Sequence, residues 1–294
     1  IKIQMKKIKC LSLFVSVVLL LVSCGDTKKT EKKTYSPEEI SAESKKANAF
    51  FDQVYDAHVD RDPMQQSLLG IKKDYDKWTN ISDENAQKEL EITKLNLDSL
   101  HSNFKIEALD EQTVMSYRLF EEECQHAIDN FKWRFHDYPV NQMGGLHADI
   151  PTFLINVHLV NSKKEAEDYI SRLNGINTLF DQLIVNLKIR EEKKIIPPKF
   201  TFPYVLNDCK SLITGQPFDK TKNVNPLMED FTKKVNALKD IDNVGKNELI
   251  AKASEALISS VKPAYEKLIA YWVELEKKAT SDDGAWKLPD GDAF

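Results

Sequence analysis

Residues 138–158 read YPVNQMGGLHADIPTFLINVH. On both sides of this stretch apolar residues recur at threes and fours, the period of an amphipathic helix. Within it that period fails. Pro139, the pair Gly144–Gly145 and Pro151 all fall here, in a chain with nine glycines, and such residues mark turns or close backbone approach. The stretch therefore reads as a non-helical insert in a helical scaffold, with Asp149-Ile150-Pro151 as the N-cap of a short apolar helix, Thr152 to Val157. Polar and aromatic residues on such an insert are where binding chemistry is expected. The candidates are Tyr138, Asn141, Gln142, Gly144, Gly145, His147 and His158, with glycine amides presented to a substrate carbonyl.

Outward towards the N-terminus, Val114, Tyr117, Phe120, Cys124, Ile128, Phe131 and Phe135 form one stripe, which predicts a helix from the Asp110 cap to about His136. Ala86, Leu90, Thr93, Leu97, Leu100 and Phe104 predict another, starting near Ser82. Ser36-Pro37-Glu38-Glu39 is a capping box with proline at the first helical position, opening a helix to about His58. Gln65 to Asn80 reads as a short helix and a loop. Outward towards the C-terminus, Ser162 to Glu165 opens a long helix to about Arg190, striped by Tyr169, Leu173, Ile176, Phe180, Leu183 and Leu187. Shorter helices around Val205–Ile213 and Leu227–Leu238 follow. A last helical region runs from Lys246 to Lys278, kinked or divided by Pro263 near Ser260. The fold class is all-α.

The N-terminus carries a different signal. Met5 reads as the start, with residues 1–4 not native. Lys6, Lys7 and Lys9 precede the apolar run Leu11–Val22, too short to span a membrane comfortably. Leu21-Val22-Ser23-Cys24 has the form of a bacterial lipobox, so residues 1–23 are expected to be a lipoprotein signal peptide, and Cys24 the lipidated residue that anchors the chain to a membrane. Residues 24–35 read as a flexible polar tether and 36–294 as one helical domain. The location expected is the cell envelope, periplasmic or at the outer membrane or cell surface. Cys124 and Cys209 remain; a disulfide between them is allowed beyond the inner membrane, and a buried free thiol is the other reading, since Cys124 falls on an apolar face.

The net charge is −5, with 41% hydrophobic and 30% charged residues. No basic patch with interleaved aromatics appears, which argues against nucleic acid as a partner. The histidines, at 58, 101, 126, 136, 147 and 158, are scattered. Glu123 and His126 stand three apart, like one half of a di-iron carboxylate site, but no second Glu-x-x-His exists; a solvated acidic face is the plainer reading. No metal ligands and no catalytic residues are assigned to this chain.

The block at 138–158 is followed by DYISRL (168–173), IIPPKFTFPYVLNDC (195–209), VKPAYEKL (261–268) and GAWKLPDGDAF (284–294). In that order they resemble the N-terminal half of the domain of unknown function 885 family, over residues 36–294. The resemblance implies a helical, zincin-like metallopeptidase architecture. It implies zinc in a C-terminal half that this chain lacks, with a zinc-activated water cleaving a peptide substrate. The segment Trp286–Phe294 closes without a polar tail or helix cap, so the domain is expected to be truncated there and to pair with that missing half. On this reading the chain alone is inert, and residues 138–158 line one wall of a substrate cleft. Tyr204 and Trp286, in other blocks of the resemblance, are weaker candidates for that wall. A stand-alone helical binding or scaffold lipoprotein without catalysis is the alternative.

Overall fold

The computed structural model describes residues 33–294. The leader, Cys24 and nearly all of the tether lie outside the described residues. Ten α-helices are described among them: α1 Pro37–Asp60, α2 Pro63–Leu68, α3 Asp83–Asn103, α4 Glu111–Asn130, α5 Leu146–Asn156, α6 Lys163–Glu192, α7 Phe202–Leu212, α8 Pro226–Ala237, α9 Asn243–Ala256 and α10 Lys262–Glu276. A two-stranded antiparallel hairpin, β1 Val140–Asn141 and β2 Gly144–Gly145, precedes α5. The fold is all-α, as the periodicity predicts.

Local chemistry sets most of the helix starts. Ser36 and Glu39 complete the reciprocal capping box of α1, and Ser82, Asp110, Ser162 and Asp242 each accept a backbone N–H in the first turn of their helices. At α6 the box is displaced by one residue: Glu165 reaches back to the Asn161 N–H at 2.9 Å.

Two larger apolar clusters and one small one make up the interior. The smaller of the first two joins α1, α3 and α4 through Ala47, Leu97, Leu100, Tyr117 and Cys124. The ring of Phe50 lies 5.5–5.8 Å from those of Phe51, Phe104 and Phe120, separations at which tilted and edge-on pairs attract. The larger cluster surrounds α6, with Tyr169, Leu173, Ile176, Phe180, Leu183 and Leu187 on its buried stripe. Helices α8, α9 and α10 pack against α6, while α5 and α7 touch each other and pack on α8 and α10 respectively. Between α9 and α10, residues Leu257–Val261 form a π turn just before Pro263, whose missing N–H would otherwise break the ladder. On α8, the Lys234 ammonium donates to the carbonyls of Leu154, Ile155 and His158 at 2.8–3.0 Å, so it caps the C-terminal end of α5.

Three boundaries differ from the sequence reading. Helix α4 stops at Asn130 and tightens into a 3-10 turn, Phe131–Trp133. Arg134 is drawn to Asp83 at 2.7 Å, and Phe135 packs in a separate small cluster with Ile195 and Leu288; tertiary packing overrides the local period. Helix α5 begins at Leu146, so Asp149 lies in its first turn and Pro151 inside it. Helix α9 begins at Asn243, with Gly245 in its first turn under the Asp242 cap. Cys124 and Cys209 are both buried free thiols, one in each of the two larger clusters. Among the described residues, no helix is long and apolar enough to cross a membrane.

Candidate functional site

The hairpin is built on local hydrogen bonds. Asn141 donates from Nδ2 to the Tyr138 carbonyl at 2.8 Å, and its Oδ1 accepts the Met143 N–H at 2.8 Å. This side-chain turn projects Met143, which is 87% exposed. Gly145 has φ +118°, and a Cβ there would sit 2.3 Å from the Pro139 carbonyl oxygen. Only glycine fits, and the close approach aims the chain directly into α5.

Between the hairpin and α6 lies a cleft of about 380 Å³, lined by Ile81, Tyr138, Asn141, Gly145, Asp149 and Asn186, with Arg190 at its base. Three of the sequence candidates, Tyr138, Asn141 and Gly145, thus come together here, and Gln142 and Gly144 complete the adjoining turn. Arg190 is buried, and its guanidinium is held by the Asp137 carboxylate and by the carbonyls of Asn186, Arg134 and Asp137. Asn186 donates to the Ile81 carbonyl at 2.7 Å, and Gln182 accepts the Ile81 N–H at 3.0 Å. Those bonds fix the loop before α3 as the opposite wall.

The two histidines of the stretch lie elsewhere. His147 is fully buried on the other face of α5, with neither ring nitrogen bonded. Its Nε2 is 4.0 Å from a carboxylate oxygen of Asp208 on α7. Burial holds its pKa below the usual range, opposed in part by Asp208 and Asp149. His158 is also fully buried. Its Nε2 faces the Glu165 carbonyl at 3.0 Å, and Nδ1 faces Nη1 of Arg172 at 3.0 Å. A carbonyl only accepts and a guanidinium only donates, so the ring is neutral with its proton on Nε2. Burial, together with the positive charges of Arg172, Lys234 and Lys72, holds its pKa down to about 3 against the upward pull of the Glu165 hydrogen bond. Its ring stacks 4.1 Å from that of Tyr75.

Arg172 and Arg190 were not singled out by the sequence reading. Arg172 is fully buried, without an ion-pair partner within 4 Å among the described residues. It donates to Ser67 Oγ at 2.7 Å and to the carbonyls of Lys77 and Pro63 at 3.0 and 3.3 Å. It lies 4.9–5.4 Å from the rings of Phe153, Tyr75 and Trp78. One guanidinium therefore ties α2, the loop after it, His158 and α6 together. A signal for both was present: each arginine stands three residues after a stripe position, Tyr169 or Leu187, on the buried face of α6.

Tyr204 and Trp286 are exposed and do not line the cleft. His126 and Glu122 are exposed neighbours, 3.9 Å apart. Among the described residues, no three His, Cys, Asp or Glu side chains meet in a group able to hold a metal ion.

The family model for bacterial proteins of unknown function, DUF885, matches residues 63–294. The fold is similar to a solved structure described as "the putative lipoprotein from Colwellia psychrerythraea". That match has a TM-score of 0.74 and 20% sequence identity, and covers 85% of this chain and 44% of the other. This chain thus spans less than half the length of that protein. No curated protein matches the sequence.

Proposed function

The chain belongs to the DUF885 family of bacterial proteins, and on that premise we propose that it is the cleft-forming N-terminal part of a peptidase-like lipoprotein of the cell envelope, anchored through lipid on Cys24. The observation that carries the reading is the cleft between the hairpin and α6, with Tyr138, Asn141 and Gly145 on one wall and Ile81 and Asn186 on the other. A peptide is the substrate class that such a wall of backbone and amide groups suits. Gln142 and Gly144 shape its rim, while His147 and His158 are buried away from it and make no substrate contact.

Zinc chemistry belongs, in this proposal, to a further part of a longer protein, in line with the 44% of the structural neighbour's length that is covered. The residues described here do not fit a zinc ion. His158 has both nitrogens occupied, and His147 faces a single carboxylate. No catalytic step is assigned to them.

The test compares this chain with a form extended along the length of its relatives, by metal analysis and peptide hydrolysis. The expected result is zinc binding and cleavage by the extended form and neither by this chain. Stoichiometric zinc and cleavage by this chain alone, or an extended form that binds no zinc and cleaves nothing, overturns the reading.

A further inference from the structure

The charges that line the cleft are unevenly matched. The Arg190 guanidinium is matched by the Asp137 carboxylate and three carbonyls, while the Asn141 and Asn186 amides each spend one N–H on a carbonyl, of Tyr138 and Ile81, and keep the second. Among the lining residues, the charge left without a partner is negative. The Asp149 carboxylate is exposed at the cleft edge, about 4.0 Å from where a Cβ on Gly144 would stand, and has no hydrogen-bond or ion-pair partner among the described residues. Asn186 Oδ1 likewise has none. The Tyr138 hydroxyl can donate or accept. One cation approaches from outside the lining, Lys287, whose ammonium is 5.9 Å from the centre of the Tyr138 ring and feels the carboxylates of Asp282 and Asp283.

A cleft whose one unpaired lining charge is a carboxylate selects a cationic ligand. We propose that it recognises a cationic amino group of a peptide, with Asp149 as the specificity-determining residue and Asn186 Oδ1 and the Tyr138 hydroxyl as its neutral partners. This deepens the peptide-cleft reading and rests on it. An ammonium donates three hydrogen bonds and meets a carboxylate in a charge-assisted pair. A neutral amide cap offers neither the charge nor the third donor. Two sources share this chemistry, a peptide's free N-terminus and a lysine side chain.

The experiment titrates the chain with three alanine-based tetrapeptide amides: one with a free N-terminus, one N-acetylated with a C-terminal lysine, and one N-acetylated and uncharged. Binding is followed by the ¹⁵N–¹H resonances of Gly144, Gly145 and Asn186. At least one ammonium peptide is expected to shift these resonances with an affinity about tenfold above that of the uncharged peptide. Which ammonium peptide binds identifies the source. The preference is expected to vanish in Asp149→Asn, whose side chain makes no contact the fold needs, and to shrink with added salt. Equal binding of charged and uncharged peptides at these resonances, or an undiminished preference in Asp149→Asn, overturns the amino-group assignment and leaves the cleft as a peptide site. No shift with any of the three overturns both.

Discussion

The Tyr265 hydroxyl donates to the main-chain carbonyl of His147 at 2.6 Å, across 118 residues of sequence. Pro151 explains why that carbonyl is free. In helix α5 the residue four positions after His147 is a proline, which has no N–H to offer. The carbonyl is buried with its residue, and a buried acceptor without a partner is costly. Tyr265, itself 1% exposed on α10, supplies the missing donor. A proline that reads as a helix boundary in the sequence is thus accommodated inside the helix by a phenol from the other end of the chain.

The pair should behave as one unit. Tyr265→Phe removes only the hydroxyl and is expected to cost about 1–3 kcal/mol, the penalty of a buried carbonyl left unbonded. Pro151→Ala restores a main-chain N–H at the right place. In the Pro151→Ala background, Tyr265→Phe is expected to cost markedly less. Thermal or urea unfolding of the four proteins measures the coupling; strictly additive effects would refute it.

His158 gives the fold a defined acid limit. Its folded pKa, about 3, lies below its ordinary 6.5, so the unfolded chain binds the extra proton more readily. The stability this contributes is fully present above about 6.5, declines as pH falls, and is lost by about 3. His158→Gln keeps an acceptor and a donor without a titrating ring. Unfolding free energy measured across that window is expected to vary less steeply with pH in the variant than in the parent, and an unchanged slope would assign the acid sensitivity elsewhere.

Helices with a clear stripe were legible because burial imposes a period. The positions of α6 that the sequence marks, Tyr169 through Leu187, are all buried, though Arg172 and Arg190 are buried beside them unmarked. The insert at 138–158 was legible as an insert, but not its internal form. Whether Asp149 or Gly145 starts α5 depends on the close approach that Gly145 allows to the Pro139 carbonyl and on a hydroxyl from Tyr265, conformational and long-range facts that the local pattern does not show. The grouping of Tyr138, Asn141 and Gly145 was within reach, since they are neighbours in sequence. Their opposite wall, Ile81 and Asn186, was not, because nothing local links those two residues to the hairpin. His147 and His158 lie eleven residues apart in one block, yet packing sets His147 against Asp208 of α7 and His158 against Glu165 and Arg172 of α6.

Gly145 is the tightest point of the insert. Any Cβ meets the Pro139 carbonyl at 2.3 Å, at a φ of +118° that L side chains rarely adopt. Gly145→Ala is expected to lose about 1–3 kcal/mol through backbone strain and to displace the hairpin from α5, whereas Gly70→Ala meets nothing within 4 Å and pays only for its own positive φ. A larger fall in melting temperature for Gly145→Ala than for Gly70→Ala is the expected ranking.

Arg172 is where a single substitution should be most damaging. Replacing it with methionine keeps much of the side-chain length and removes the guanidinium. His158 Nδ1, Ser67 Oγ and the Lys77 carbonyl then each lose a donor in the interior. Each such loss costs about 1–3 kcal/mol, which together is a large share of the about 5–15 kcal/mol that holds a typical domain folded. The segment from α2 to Trp78, held to α6 by these bonds and by the Trp78 indole donating to the Arg172 carbonyl at 2.8 Å, should loosen first. Limited proteolysis of Arg172→Met is therefore expected to cut within residues 63–80 before it cuts α6 or α10. Lys77→Ala leaves the carbonyl at 77 in place and serves as the control, with a cleavage pattern like that of the parent. Cuts that begin elsewhere would show that the guanidinium does not hold this segment.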